Sequence, residues 1–131
     1  MDTTKLFDHT PFVTLREEVM ALFDQGAPHA DIDAKLSEFL QHLESQFSAE
    51  EQAMQAARFK PHDAHKAEHD RVTQKLAYRI EQWQKTREVQ LMLEYIETEL
   101  ADWFVKHVNT RDYITARFLS AHTNEPTQPS N

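Results

Sequence analysis

His65 and His69, four residues apart, His107 and Asp112, five apart, and Glu50 upstream are all residue types that bind metal ions. On an α-helix, residues four apart rise about 6 Å and share a face, so His65 and His69 can grip a single ion. The 131-residue chain has eight histidines and no cysteine. Disulfides, thiolate metal sites and cysteine nucleophiles are therefore excluded, and any metal must be held by imidazole and carboxylate.

With eight histidines, a His-x-x-x-His spacing by itself means little. Its phase means more, because His65 and His69 continue the stripe Val72, Leu76 and Ile80 and so point at the core, where an uncompensated imidazole is costly. Glu50 lies on another apolar stripe between Phe47 and Met54, while its neighbour Glu51 should face solvent. A carboxylate aimed inward needs a cation or a hydrogen-bond partner. His107 closes a third stripe after Ile96, Leu100 and Trp103, and Asp112 follows a presumed break, where it can turn back toward the same interior. His9 leads the first stripe, and His42 lies two turns before Glu50 on roughly the same face. His29, His62 and His122 are assigned no chemistry.

Four amphipathic segments must position these groups. The first carries His9, Phe12, Val13, Arg16, Val19, Met20 and Phe23, with Pro11 in its first turn and a stop near Gly26. The second opens near Asp31 and runs through Leu36, Phe39, Leu40, Leu43, Phe47, Glu50 and Met54. A third follows Pro61, and a fourth stacks Val89, Met92, Leu93, Ile96, Leu100, Trp103 and His107 before Asn109 and Thr110 interrupt it. A short terminal helix is expected over about Arg111 to Ala121. Short connections between such helices predict an all-α, antiparallel up-down-up-down four-helix bundle with a short C-terminal helix, occupying residues 1–122, and a polar, disordered tail over 123–131.

Lys plus Arg number 14 against 22 for Asp plus Glu, a formal charge of -8 that repels phosphate backbones and anionic lipid. Neither nucleic acid nor a membrane is an expected partner. No apolar run approaches the roughly 20 residues that span a bilayer, and Met1 to Lys5 lacks a signal-peptide pattern, so the cytoplasm is the expected compartment.

Three runs, Phe47 to Met54, Phe59 to His69 and Trp103 to Tyr113, resemble the signature segments of the bacterial hemerythrins, and the resemblance covers about residues 6 to 120. It implies a non-haem centre of two iron ions that binds dioxygen reversibly, held by five histidines, one glutamate and one aspartate. His65, His69 and His107 would bind the coordinatively filled iron, Glu50 and Asp112 would bridge, and His9 would bind the second iron. The chain departs from the pattern at Gln46, which stands where that second iron should receive another histidine. Glutamine offers a neutral carbonyl oxygen, a weaker donor to iron than imidazole. Either Gln46 binds weakly, or His42 reaches in from the preceding turn, or water fills the position.

The expected function is storage, transport or sensing of dioxygen or a related diatomic such as nitric oxide, by a binding protein rather than an enzyme. Two other readings stand beside it: a di-iron oxidase or peroxidase, and a metal-free interaction module.

Overall fold

Apolar side chains repeating at three- and four-residue steps, in a chain whose single glycine is Gly26, favour long helices. The computed structural model describes residues 8–58, 62–108 and 113–124. Its elements are α1 (Thr10–Asp24), α2 (His29–Ala56), α3 (His62–Thr86), α4 (Val89–Glu94), a π-helical segment (Tyr95–Leu100), α5 (Ala101–His107) and α6 (Tyr113–Asn124). The run from α4 through α5 is continuous, and no strand occurs among the described residues.

Gly26, at φ 62, takes the left-handed conformation that ends α1, and Ala27 N–H reaches back to the Leu22 carbonyl at 3.0 Å. α2 starts at His29, two residues before the expected Asp31, because the Pro28 carbonyl accepts the first helical bonds from Asp31 and Ile32. Asp31 then sits in the first turn, where a carboxylate favours the helix dipole. His29 lies in the first turn of α2, and its ring meets Trp83 edge-on at 5.3 Å. α6 continues through Asn124, two residues into the expected tail. The break at Asn109 and Thr110, and residues 125–131, lie outside the described residues.

Close to the start of α2, α3 closes on Arg87, a non-glycine residue at φ 54. Its guanidinium binds Asp33 through two bonds of 2.7 and 3.0 Å, and Trp83 Nε1 donates to the same carboxylate at 2.8 Å. This paired contact offsets the cost of about 1 kcal/mol or more for a left-handed residue with a side chain. It ties the start of α2 to the end of α3.

The core lies between α1, α2, α3 and the α4-to-α5 run. Phe12, Val19 and Phe23 meet Leu36, Phe39, Leu43 and Phe47 of α2, Leu76, Ile80 and Trp83 of α3, and Met92, Ile96 and Leu100. Val13 and Val89, expected on inward stripes, are exposed. A smaller cluster of Ala53, Ala57 and Leu119 seats α6 on the end of α2. No helix among the described residues is long and apolar enough to cross a membrane.

Within the π-helical segment Tyr95, Ile96 and Leu100 are buried, and its turn is wider than an α-helical one. Widening displaces carbonyls from their α-helical donors, and Arg16 of α1 answers by donating from Nε to the Ile96 carbonyl at 3.1 Å and from Nη2 to the Glu97 carbonyl at 3.5 Å.

Candidate metal centre

The same periodicity that buries the apolar stripes of α2, α3 and the α4-to-α5 run buries four polar side chains on those elements. Glu50 continues Leu43 and Phe47 on α2, His65 and His69 precede Val72 and Leu76 on α3, and His107 follows Leu100 at the end of α5. Glu50 is 0% exposed, and the three imidazoles are 1–2% exposed. One ligand atom from each of the four lies within 4.8 Å of every other. His69 Nε2 is 3.3 Å from His107 Nε2 and 3.3 Å from Glu50 Oε1, and His65 Nε2 is 3.8 Å from that same oxygen. Metal–ligand bonds of about 2.0–2.2 Å set neighbouring donors about 3 Å apart and opposite donors about 4.2 Å apart, so these spacings suit a single ion.

Each imidazole is oriented from a neighbouring helix. His69 Nδ1 lies 2.9 Å from Glu51 Oε2 of α2, His107 Nδ1 lies 2.9 Å from Glu68 Oε1 of α3, and His65 Nδ1 lies 3.1 Å from Thr115 Oγ1 of α6. A carboxylate can only accept, so His69 and His107 carry their protons on Nδ1 and turn Nε2 lone pairs toward each other. Two lone pairs and a carboxylate oxygen meeting in a buried space are mutually repulsive until a cation sits among them. The donor set therefore fits a metal ion.

Glu51 corrects the sequence expectation of a solvent-facing residue. Its side chain is 19% exposed and holds His69. Periodicity places it one residue off the buried face, but its length lets it curl across to the next helix. Glu68 and Thr115 also escaped sequence reasoning, because each orients a histidine of a different helix.

Burial pushes the His69 imidazole down to about 4, and the neighbouring His65 and His107 add to the effect against the opposing hydrogen bond to Glu51. Near neutrality His69 is therefore uncharged, the form that binds metal. Aromatic rings wall the site. Phe47 stacks on His69 with centroids 3.8 Å apart, and Trp103 stacks on His107 at 4.6 Å.

A bacteriohemerythrin of Ralstonia nicotianae is 32% identical to the chain over 114 residues, 86% of this chain and 77% of the relative. A second, from Aquifex aeolicus, is 30% identical over 87 residues, 66% of each chain. The chain belongs to the bacterial hemerythrin-like family. No protein-family model matches it, and no solved structure matches it significantly.

Of the other hemerythrin-like positions, the structure describes His9, His42 and Gln46. His9 of the second-iron set stands edge-on to Phe104 at 5.2 Å and is not in the group whose ligand atoms converge. Gln46 turns its amide nitrogen to Glu50, with Nε2 donating to Oε2 at 3.1 Å. His42 is half-buried, and burial lowers its pKa. Asp112 lies outside the described residues. His9, His42, Gln46, Phe47, Phe104 and His107 share the lining of a cavity of about 10 Å³. On the other side of the centre, Glu68 and Trp103 also line an open cleft of about 570 Å³ that Tyr95, Arg71 and Lys75 complete.

Proposed function

We propose that this chain is a non-haem iron protein that binds dioxygen or a related small diatomic molecule at the centre formed by Glu50, His65, His69 and His107, with Asp112 as a further ligand. The observation that carries the reading is the convergence of three oriented imidazoles and a fully buried carboxylate, in a chain of the hemerythrin-like family. An all-nitrogen-and-oxygen donor set does not itself select iron, so the choice of iron rests on the family.

When bound, iron supplies redox activity and coordination positions for a small ligand. His65, His69 and His107 would hold it, with Glu50 contributing negative charge. Glu51, Glu68 and Thr115 fix the ring planes. Phe47 and Trp103 keep bulk water from the imidazoles, which strengthens every charge interaction inside. The helices carrying these groups are read as an up-down-up-down bundle, supported by short connections between helices that pack on their chain neighbours.

Purified protein should contain iron and, in air, absorb in the near ultraviolet and visible. Chelation should remove both the metal and the colour while the helices remain. A colourless protein that folds normally and takes up no iron would overturn the reading.

The 570 Å³ cleft favours a second reading, redox catalysis. Its lining residues Glu68 and Trp103 both touch His107, so an organic reductant seated there would lie one side chain from the centre. Peroxide turnover with an aromatic reductant, lost in Glu50→Ala, separates this reading from simple ligand binding.

A further inference from the structure

The described residues fit one metal ion and do not fit a second. Glu50 divides its two oxygens: Oε1 faces His65 and His69, while Oε2 accepts a hydrogen bond from Gln46 Nε2 at 3.1 Å. A bridging carboxylate would have to give Oε2 to the second ion. We infer that this chain holds a single metal ion, with the Gln46 amide taking by hydrogen bond the Glu50 oxygen that a second ion would need.

The orientation of Gln46 follows from chemistry. Turned the other way, its carbonyl oxygen would face a carboxylate oxygen, two acceptors with no proton between them. With the NH2 group toward Glu50, the amide presents no lone pair on that side and cannot ligate there. Gln46 and Glu50 are one turn apart on α2, so the bond forms within a single helix and needs no rearrangement of its neighbours.

Space and charge agree with this. The cavity shared by Gln46, His9, His42 and His107 measures about 10 Å³, the volume of about one water probe, and Phe12, Phe47, Trp103 and Phe104 form much of its wall. Among the described residues Glu50 is the only buried carboxylate of the centre. Counting Asp112, proposed above as a further ligand, one divalent ion leaves the centre neutral, whereas two would leave two net positive charges in a buried site.

The inference rests on the metal-binding reading above, and one experiment distinguishes failure of either. Metal-free full-length protein is titrated with Co(II), whose visible bands report coordination, and bound metal is counted by elemental analysis after gel filtration. The wild-type chain should saturate at one ion, with no spectral change from a second equivalent. Gln46→His supplies an imidazole, and Gln46→Glu, of nearly the same shape, replaces the amide with a second carboxylate that needs a cation; each should saturate at two. Circular dichroism checks that the variants fold, and Gln46→Glu serves if Gln46→His does not. Wild-type saturation at two overturns the single-ion inference. Saturation at one in all three proteins overturns the role given to Gln46, and no binding at all overturns the metal-binding reading itself.

Discussion

The three inward imidazoles differ in what holds them, and that difference has measurable consequences. Glu51 and Glu68 grip His69 and His107 with carboxylates, which raise the basicity of the ligating Nε2 as well as fixing the ring, while Thr115 offers His65 only a neutral hydroxyl. Glu51→Ala and Glu68→Ala should each weaken metal affinity by roughly 10- to 100-fold, and Thr115→Val by less. Competition against a chelator of known affinity measures this, and equal, small losses in all three would contradict the ordering. The four residues that converge were legible in the sequence because each sits in phase with an apolar stripe: Glu50 after Phe47, His65 and His69 before Val72, His107 after Leu100. Their partners were not, because each lies on a different helix from the histidine it holds, and helical periodicity says nothing about which polar side chain a neighbouring helix will offer. Gln46 shows the same limit. Its identity marked it as the altered position, but the direction in which its amide points depends on where Glu50 turns its oxygens.

Among the elements, the run from α4 through α5 sets the direction in which His107 enters the site, and the π-helical segment lies within that run seven residues before it. Arg16 stabilises the widened turn from outside by donating to the Ile96 and Glu97 carbonyls. Arg16→Ala should cost about 1–2 kcal/mol, carried by the part-buried bond to Ile96, since the longer one to Glu97 is exposed. It should also lower metal affinity, because a relaxed turn shifts the phase of His107. Urea denaturation and a Co(II) titration on the same variant test both halves; a stability loss with unchanged affinity would mean that the π-helical segment does not govern the site. The helices themselves were legible from period and from Gly26, Pro28 and Pro61, with boundaries off by two residues where Pro28 starts α2 early. The π-helical segment was not, since its apolar stripe satisfies a helical template in either width.

For the molecule as a whole, a metal bound at this core cluster would make folding, metal and proton binding a single linked equilibrium. In the metal-free folded chain burial holds His69 near 4, whereas an exposed histidine in the unfolded chain titrates near 6.5. Between those values the unfolded chain binds more protons, so acid favours unfolding; the contribution is fully present above about pH 6.5 and is lost as pH falls through about 4. His42, lowered by burial, acts in the same direction. Thermal melts of the metal-free protein should therefore fall by roughly 10 °C between pH 7 and pH 4.5, from a loss of about 2–3 kcal/mol, and the fall should shrink in His69→Gln. A melting temperature that stays level over this range, or an equal fall in His69→Gln, would contradict the assignment. Metal binds only the folded, deprotonated site, so at pH 7 a saturating ion should raise the melting temperature in proportion to the logarithm of its concentration. Protons compete with the ion for His69, so that rise should itself diminish as pH falls toward 4.5. The metal-bound protein should accordingly lose stability with acid more steeply than the metal-free one, because it surrenders both the buried neutral imidazole and the ion that the imidazole holds.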